Sequence, residues 1–184
     1  AVSDVVKAVE RWLTSVVIEL NLCPFAQREY RSNRVRFKAS DAQNEEAVLR
    51  DLVVEMSLLT RRPEIETTLL ILPSALAEFL QFNDFLGFAD QLLEEMHLDG
   101  VYQIASFHPD YQFDGTDAED VENYTNRAPY PILHILREAS LSKVIERHPD
   151  PESIPTRNIQ LMKELGHRHM QLLLQSVITD EQPG

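Results

Sequence analysis

The sequence predicts an α/β (or α+β) fold: one domain over residues 1–184, with a small sheet of about three strands, an N-terminal helix, two crossover-type helices and a helical C-terminal third. Three observations point there. Segments with apolar residues at every third or fourth position alternate with short segments rich in Val, Ile, Leu and Phe, the order that builds sheet-centred folds. One of the short segments, Leu69-Leu70-Ile71-Leu72, is apolar on both faces, as suits a central strand covered from both sides. The chain has 184 residues, 43% of them apolar, and a single cysteine, so it is of one-domain size and can bury a core without disulfides.

The elements follow in order. Val2, Val5, Val6, Val9, Trp12, Leu13, Val16, Val17 and Leu20 recur at helical spacing, with charges on the other face, which marks an amphipathic helix rather than the unbroken apolar core of a secretory signal. With the lone cysteine, this predicts a cytoplasmic protein. The helix stops near Leu22, because Pro24 disfavours helical geometry at Cys23. Residues 34–39 read as a first strand, Val35 and Phe37 alternating with Arg34, Arg36 and Lys38. Ser40 or Asp41 then caps a second helix carrying Leu49, Leu52, Val53, Met56 and Leu59. Residues 67–72 form the second strand. A third helical region follows Pro73-Ser74, with its stripe from Phe82 to Met96, and residues 101–107 form the third strand. An aperiodic stretch, 108–130, leads to Pro131, read as the first position of a helix with Ile132-Leu133 and Ile135-Leu136. A short helix to Arg147 and a last one over 156–178 complete the chain. If the intervening helices are crossovers, the strands are parallel, and ligands bind beyond their carboxyl ends.

Charge narrows the function classes. With 17 Lys+Arg against 30 Asp+Glu, the net charge is −13, the wrong sign for general nucleic-acid binding, and no apolar run reaches membrane-spanning length. The distribution is uneven. Residues 63–126 carry fourteen carboxylates and no Lys or Arg, whereas Arg28, Arg31, Arg34, Arg36 and Lys38 form a basic strip.

The candidate chemistry gathers after the third strand. His108 sits just past the strand end, where the sheet holds a potential acid/base in a crevice, with Asp110 as its orienter; the alternative is a plain Pro109-Asp110 turn. Asn126 and Arg127, ahead of the helix entry at Pro131, suit an anion, Arg127 offering a bidentate fork; otherwise Arg127 pairs with a nearby carboxylate. Cys23 is either a small buried apolar group or, if Pro24 starts a new helical turn, an N-cap thiol with nucleophilic character. His134 and Glu138 are four apart on the predicted helix, a metal-ligand spacing that His108 would complete; a helix-surface pair is the alternative. His169 is expected to pack beneath the last helix. Phe113-Asp114-Gly115-Thr116 is similar to the nucleophile loop of haloacid-dehalogenase-type phosphatases, but Gln112 stands where that loop has its nucleophilic Asp, so the match fails. A turn followed by a short helix, with Thr116 and Glu119 in capping-box spacing, explains it better. Asn123-Tyr124-Thr125 fits a glycosylation acceptor only in pattern.

These residues predict a small-molecule enzyme or ligand-binding protein acting on an anionic (carboxylate or phosphate) substrate, with a His-based site on the loop after the third strand. The alternatives are a metal- or haem-binding protein using His108, His134, Glu138 and Cys23, or an interaction module whose acidic face meets a basic partner. Asn21-Leu22-Cys23-Pro24-Phe25-Ala26, Ser106-Phe107-His108-Pro109-Asp110-Tyr111 and Asn126-Arg127-Ala128-Pro129-Tyr130-Pro131, followed by His134-Ile135-Leu136-Arg137-Glu138, together resemble a bacterial family defined by a domain of unknown function. The resemblance covers essentially the whole chain and implies no particular activity.

Overall fold

The run that is apolar on both faces lies at the centre of a four-stranded sheet. In the computed structural model, which describes residues 1–180, the strands β1 (Val35–Ala39), β2 (Thr67–Ile71), β3 (Tyr102–Phe107) and β4 (Ile132–Arg137) are ordered β1-β2-β4-β3. β1 and β2 pair in parallel, and β4 is antiparallel to both β2 and β3. The first three strands therefore share one direction, as the crossover reading requires, and the fourth opposes them.

Alternation along the central strands sends side chains into two separate cores. Leu70 and Leu72 of the β2 segment, with Leu133 and Ile135 of β4, meet Leu52, Met56 and Leu59 of α3 (Glu45–Arg61) and Phe82 and Phe85 of α4 (Phe79–Glu95). Leu69, Ile71 and Ile132 face the other way. They meet Val9 and Trp12 of α1 (Val2–Trp12), the π-helical turn Leu13–Ile18, and Met162 and Met170 from the C-terminal helices. Each fully buried side chain of this size contributes about 1.5–3 kcal/mol, which is why the sheet keeps both covers. Two shorter helices, α2 (Ala26–Arg31) and α5 (Glu138–Arg147), and a 3-10 turn, Val121–Asn126, lie between the main elements.

Several boundaries differ from the sequence expectation for local reasons. Asn44, not Ser40 or Asp41, caps α3, its side chain accepting from Ala47 N–H at 2.9 Å. Ser40 instead donates to Asp51 of α3 and accepts from Ala42 N–H, closing the exit from β1. The expected last helix is two, α6 (Ser153–Leu165) and α7 (His167–Thr179), broken at Gly166, whose φ of 85° suits a residue without Cβ. The helix expected after Pro131 is strand β4. Its five-residue apolar core fits either period, and pairing on both sides selects the strand.

Candidate functional site

The long segment between β3 and β4 is tied down at three points. His108 is fully buried and packs against the rings of Phe79 and Phe82. Its Nε2–H donates to the Leu76 carbonyl (3.0 Å) and its Nδ1 accepts from Asp110 N–H (3.0 Å), which fixes a neutral tautomer. Burial lowers its pKa, opposed only in part by the Leu76 hydrogen bond and the Asp110 charge. Asn123, also fully buried, accepts from Phe113 N–H (2.9 Å) and donates to the Asp117 carbonyl (2.8 Å). Arg127 donates to the carbonyls of Tyr111 (3.1 Å) and Ala118 (2.8 Å), and its guanidinium lies 4.7 Å from the Tyr124 ring centroid. The indole N–H of Trp12 completes the set by donating to the Arg127 carbonyl at 3.1 Å.

The sequence candidates are thus dispersed. Both ring nitrogens of His108 are engaged inside the protein, and the Arg127 fork holds backbone carbonyls. Asp110 and Arg127 line a shallow cleft beside α7. The helix-face pairing of His134 with Glu138 does not form: His134 lies within β4 and Glu138 begins α5. Four residues of extended backbone span about 13 Å, against the roughly 5–6 Å of an i, i+4 helical pair. No group of three or more His, Cys, Asp or Glu is placed to hold a metal among the described residues. Likewise Pro131 leads into a strand rather than presenting helical N–H groups, and the Leu72 N–H donates to its carbonyl. Thr116 donates to the Phe113 carbonyl and caps no helix. His169 is exposed, whereas His167 packs edge-on against Tyr124. Asn123 is buried beyond the reach of glycosylation.

The His134 geometry fixes its own proton. Thr67 Oγ1 donates to the Ile135 carbonyl (2.6 Å), a group that can only accept. The Thr67 hydrogen being used there, Nε2 of His134 must donate to Thr67 Oγ1 across 2.8 Å. Burial pushes the pKa of this histidine down to about 4.

Two candidates do meet, in a cavity of about 590 Å³ between the β3–β4 segment and α6. Cys23 and Asn126 line it, with Val17, Leu22, Phe107, Phe113, Ile154 and Ile159 supplying apolar wall. The π-helical turn helps shape it: the Leu22 N–H reaches back five residues to Val17 O (2.9 Å), and such turns recur at functional sites. Asn126 donates to the Ser106 carbonyl (3.1 Å). Asn158 donates to the Leu22 carbonyl (3.0 Å), but its Oδ1 has no hydrogen-bond partner among the described residues, although the residue is only 5% exposed. Thr125 Oγ1 is sealed from solvent and equally unpartnered. Asp114 and Glu122 add two carboxylates, and no Lys, Arg or His lines the cavity.

Cys23 lies three residues ahead of α2, whose N-cap is Phe25, so it does not occupy the N-cap position itself. Burial raises its pKa, outweighing the N–H groups of Phe25 and Ala26 that favour the thiolate. The sulfur is a thiol at neutral pH. Asn158 and Thr125 escaped the sequence reading, yet one signal was there. Asn158 occupies the apolar stripe of α6, between Ile154 and Met162 at spacings of four, where a polar side chain must find a partner or a ligand.

A family model described as "Protein of unknown function (DUF1415)" matches residues 4–172. No curated protein and no solved structure matches the chain.

Proposed function

The chain belongs to the family of proteins of unknown function DUF1415, and from its geometry we propose that it binds a small, largely apolar molecule bearing hydrogen-bond donors, in the cavity between the β3–β4 segment and α6. The observation that carries this reading is the pair of orphaned polar atoms in residues of the cavity wall: Asn158 Oδ1, which can only accept, and the Thr125 hydroxyl, which can accept or donate. An unmade hydrogen bond at a buried polar atom costs about 1–3 kcal/mol, and a ligand donor recovers it. The volume of about 590 Å³ lies in the range of small-molecule sites, roughly 300–1,000 Å³.

The lining also selects by charge. With Asp114 and Glu122 in the wall and no cation beside them, this cavity favours a neutral or cationic donor over the anionic substrate that the sequence suggested. His108 and Arg127 hold the segment that roofs it. Cys23, a half-buried thiol, supplies wall and a weak donor.

Phenethylamine, phenylacetate and ethylbenzene share one ring and differ in charge, so calorimetry with the three tests the reading. Phenethylamine should bind, and Thr125→Val should weaken it several-fold without loss of fold. Ile154→Trp, which fills the cavity, should abolish it. Phenylacetate binding as tightly as phenethylamine, or an Ile154→Trp variant that binds like wild type, would overturn the assignment.

A further inference from the structure

A second concavity, of about 510 Å³, lies at the other end of the sheet, where Arg34 precedes β1, Glu66 precedes β2 and α5 follows β4. Its charge departs from that of the chain. Arg28, Arg34, Lys143 and Arg147 line it against two carboxylates, Glu29 and Glu66, in a protein whose net charge is −13.

The two carboxylates form the floor. Glu66 is 5% exposed and Glu29 is 7% exposed. Arg34 donates to Glu66 Oε2 at 2.9 Å and lies 3.7 Å from Glu29 Oε2, within ion-pair reach but beyond a hydrogen bond. That leaves Glu66 Oε1 and Glu29 Oε2 buried without a hydrogen-bond partner among the described residues. Arg34 is thus consumed. Arg28, Lys143 and Arg147 form no ion pair among the described residues, and all three are exposed at the rim. His148 also lines the cleft, its Nδ1 accepting from Asp150 N–H (3.0 Å).

Unpaired cations above buried acceptors describe a ligand with two ends. We propose that this cleft is a binding site for an organic phosphate of the sugar-phosphate class, its phosphate held by Arg28, Lys143 and Arg147 and its hydroxyls donating to Glu66 Oε1 and Glu29 Oε2. Phosphate suits the rim because arginine forks bind its oxygens in pairs while lysine adds a point charge. Hydroxyls suit the floor because an ionised carboxylate only accepts. Inorganic phosphate engages the rim alone; glucose engages the floor alone. The site is separate from the apolar cavity, although one turn touches both: Leu22 and Cys23 line the cavity, and Pro24 and Phe25 line the cleft.

Amide NMR titrations with inorganic phosphate, glucose and glucose 6-phosphate provide the test, with shifts read on α2 and α5. Glucose 6-phosphate should saturate at least tenfold below inorganic phosphate, a factor that corresponds to ~1.4 kcal/mol. Lys143→Ala/Arg147→Ala, at exposed positions, should lose both ligands. Glu66→Gln should keep inorganic phosphate binding and cut the advantage of glucose 6-phosphate to under threefold. Shifts scattered over the surface, equal affinity for the two phosphates, or a rim variant that binds like wild type would overturn the proposal. None of these results bears on phenethylamine binding in the cavity.

Discussion

His134 makes the stability of the fold dependent on pH in a way that can be isolated. Its imidazole is held neutral in β4, and burial takes its pKa from 6.5 to about 4. Between those values the unfolded chain binds a proton that the folded protein refuses. Stability is therefore complete above pH 6.5 and is lost as pH falls towards 4. At ~1.4 kcal/mol per pH unit, the shift limits the loss to ~3 kcal/mol, of which ~2 kcal/mol accrues by pH 4.5. His134 as a whole is half-buried, so these figures are upper bounds. The perturbation is His134→Gln, which keeps an N–H for Thr67 Oγ1 and has no proton to gain. Urea unfolding of both proteins at pH 7 and pH 4.5 should show wild type losing up to ~2 kcal/mol more than the variant. His108, whose pKa is also lowered, adds a loss of the same sign to both and cancels. Equal losses in the two proteins, or a native His134 ring that titrates near 6.5 by NMR, would refute the reasoning.

Three further outcomes follow from the same structure. Arg36 holds Glu55, 2% exposed, through two hydrogen bonds of 2.8 and 3.2 Å; Arg36→Ala strands the carboxylate and should cost about 3–5 kcal/mol in denaturant titration, whereas Arg36→Met/Glu55→Leu should fall close to wild type. Arg127→Ala removes two hydrogen bonds to carbonyls and the contact with the Tyr124 ring; a loss of about 2 kcal/mol should accompany faster proteolytic cutting within residues 108–130. Because burial raises the Cys23 pKa, iodoacetamide should label native protein at least about tenfold more slowly than a free thiol at pH 8, with full reactivity on unfolding.

What the sequence discloses depends on how many partners a residue's role requires. Periodicity alone locates α3 and α4, because their stripes are set within each helix. It also identifies β2, where an unbroken apolar run means two covered faces. The same logic fails at residues 132–136. Five apolar-rich residues are too few to separate a period of two from one of 3.6, and only the neighbours β2 and β3 decide. At the candidate site, Phe113, Thr125 and Asn126 of the 108–130 stretch line the cavity. Which side chains face the pocket was not legible. His108 and Arg127 look like chemistry in one dimension, but their partners are backbone groups of Leu76, Tyr111 and Ala118, and carbonyl positions leave no mark in a sequence. The basic strip was visible, but not that Glu55 and Glu66 neutralise Arg36 and Arg34 while Arg28 has no ion-pair partner among the described residues.

The position of β4 governs the order in which the sheet can be assembled. It is the last strand among the described residues, yet it lies between β2 and β3, so residues 1–131 contain a parallel pair and a lone third strand with nothing to join them. Until residues 132–137 leave the ribosome, β2 and β3 each present an open edge, and β2 carries its run of Leu and Ile beside one. Open apolar edges recruit strands from other chains. A stall or truncation just before Ile132 would therefore yield an aggregating species, and insertion of β4 would be the event that commits a nascent molecule to staying single.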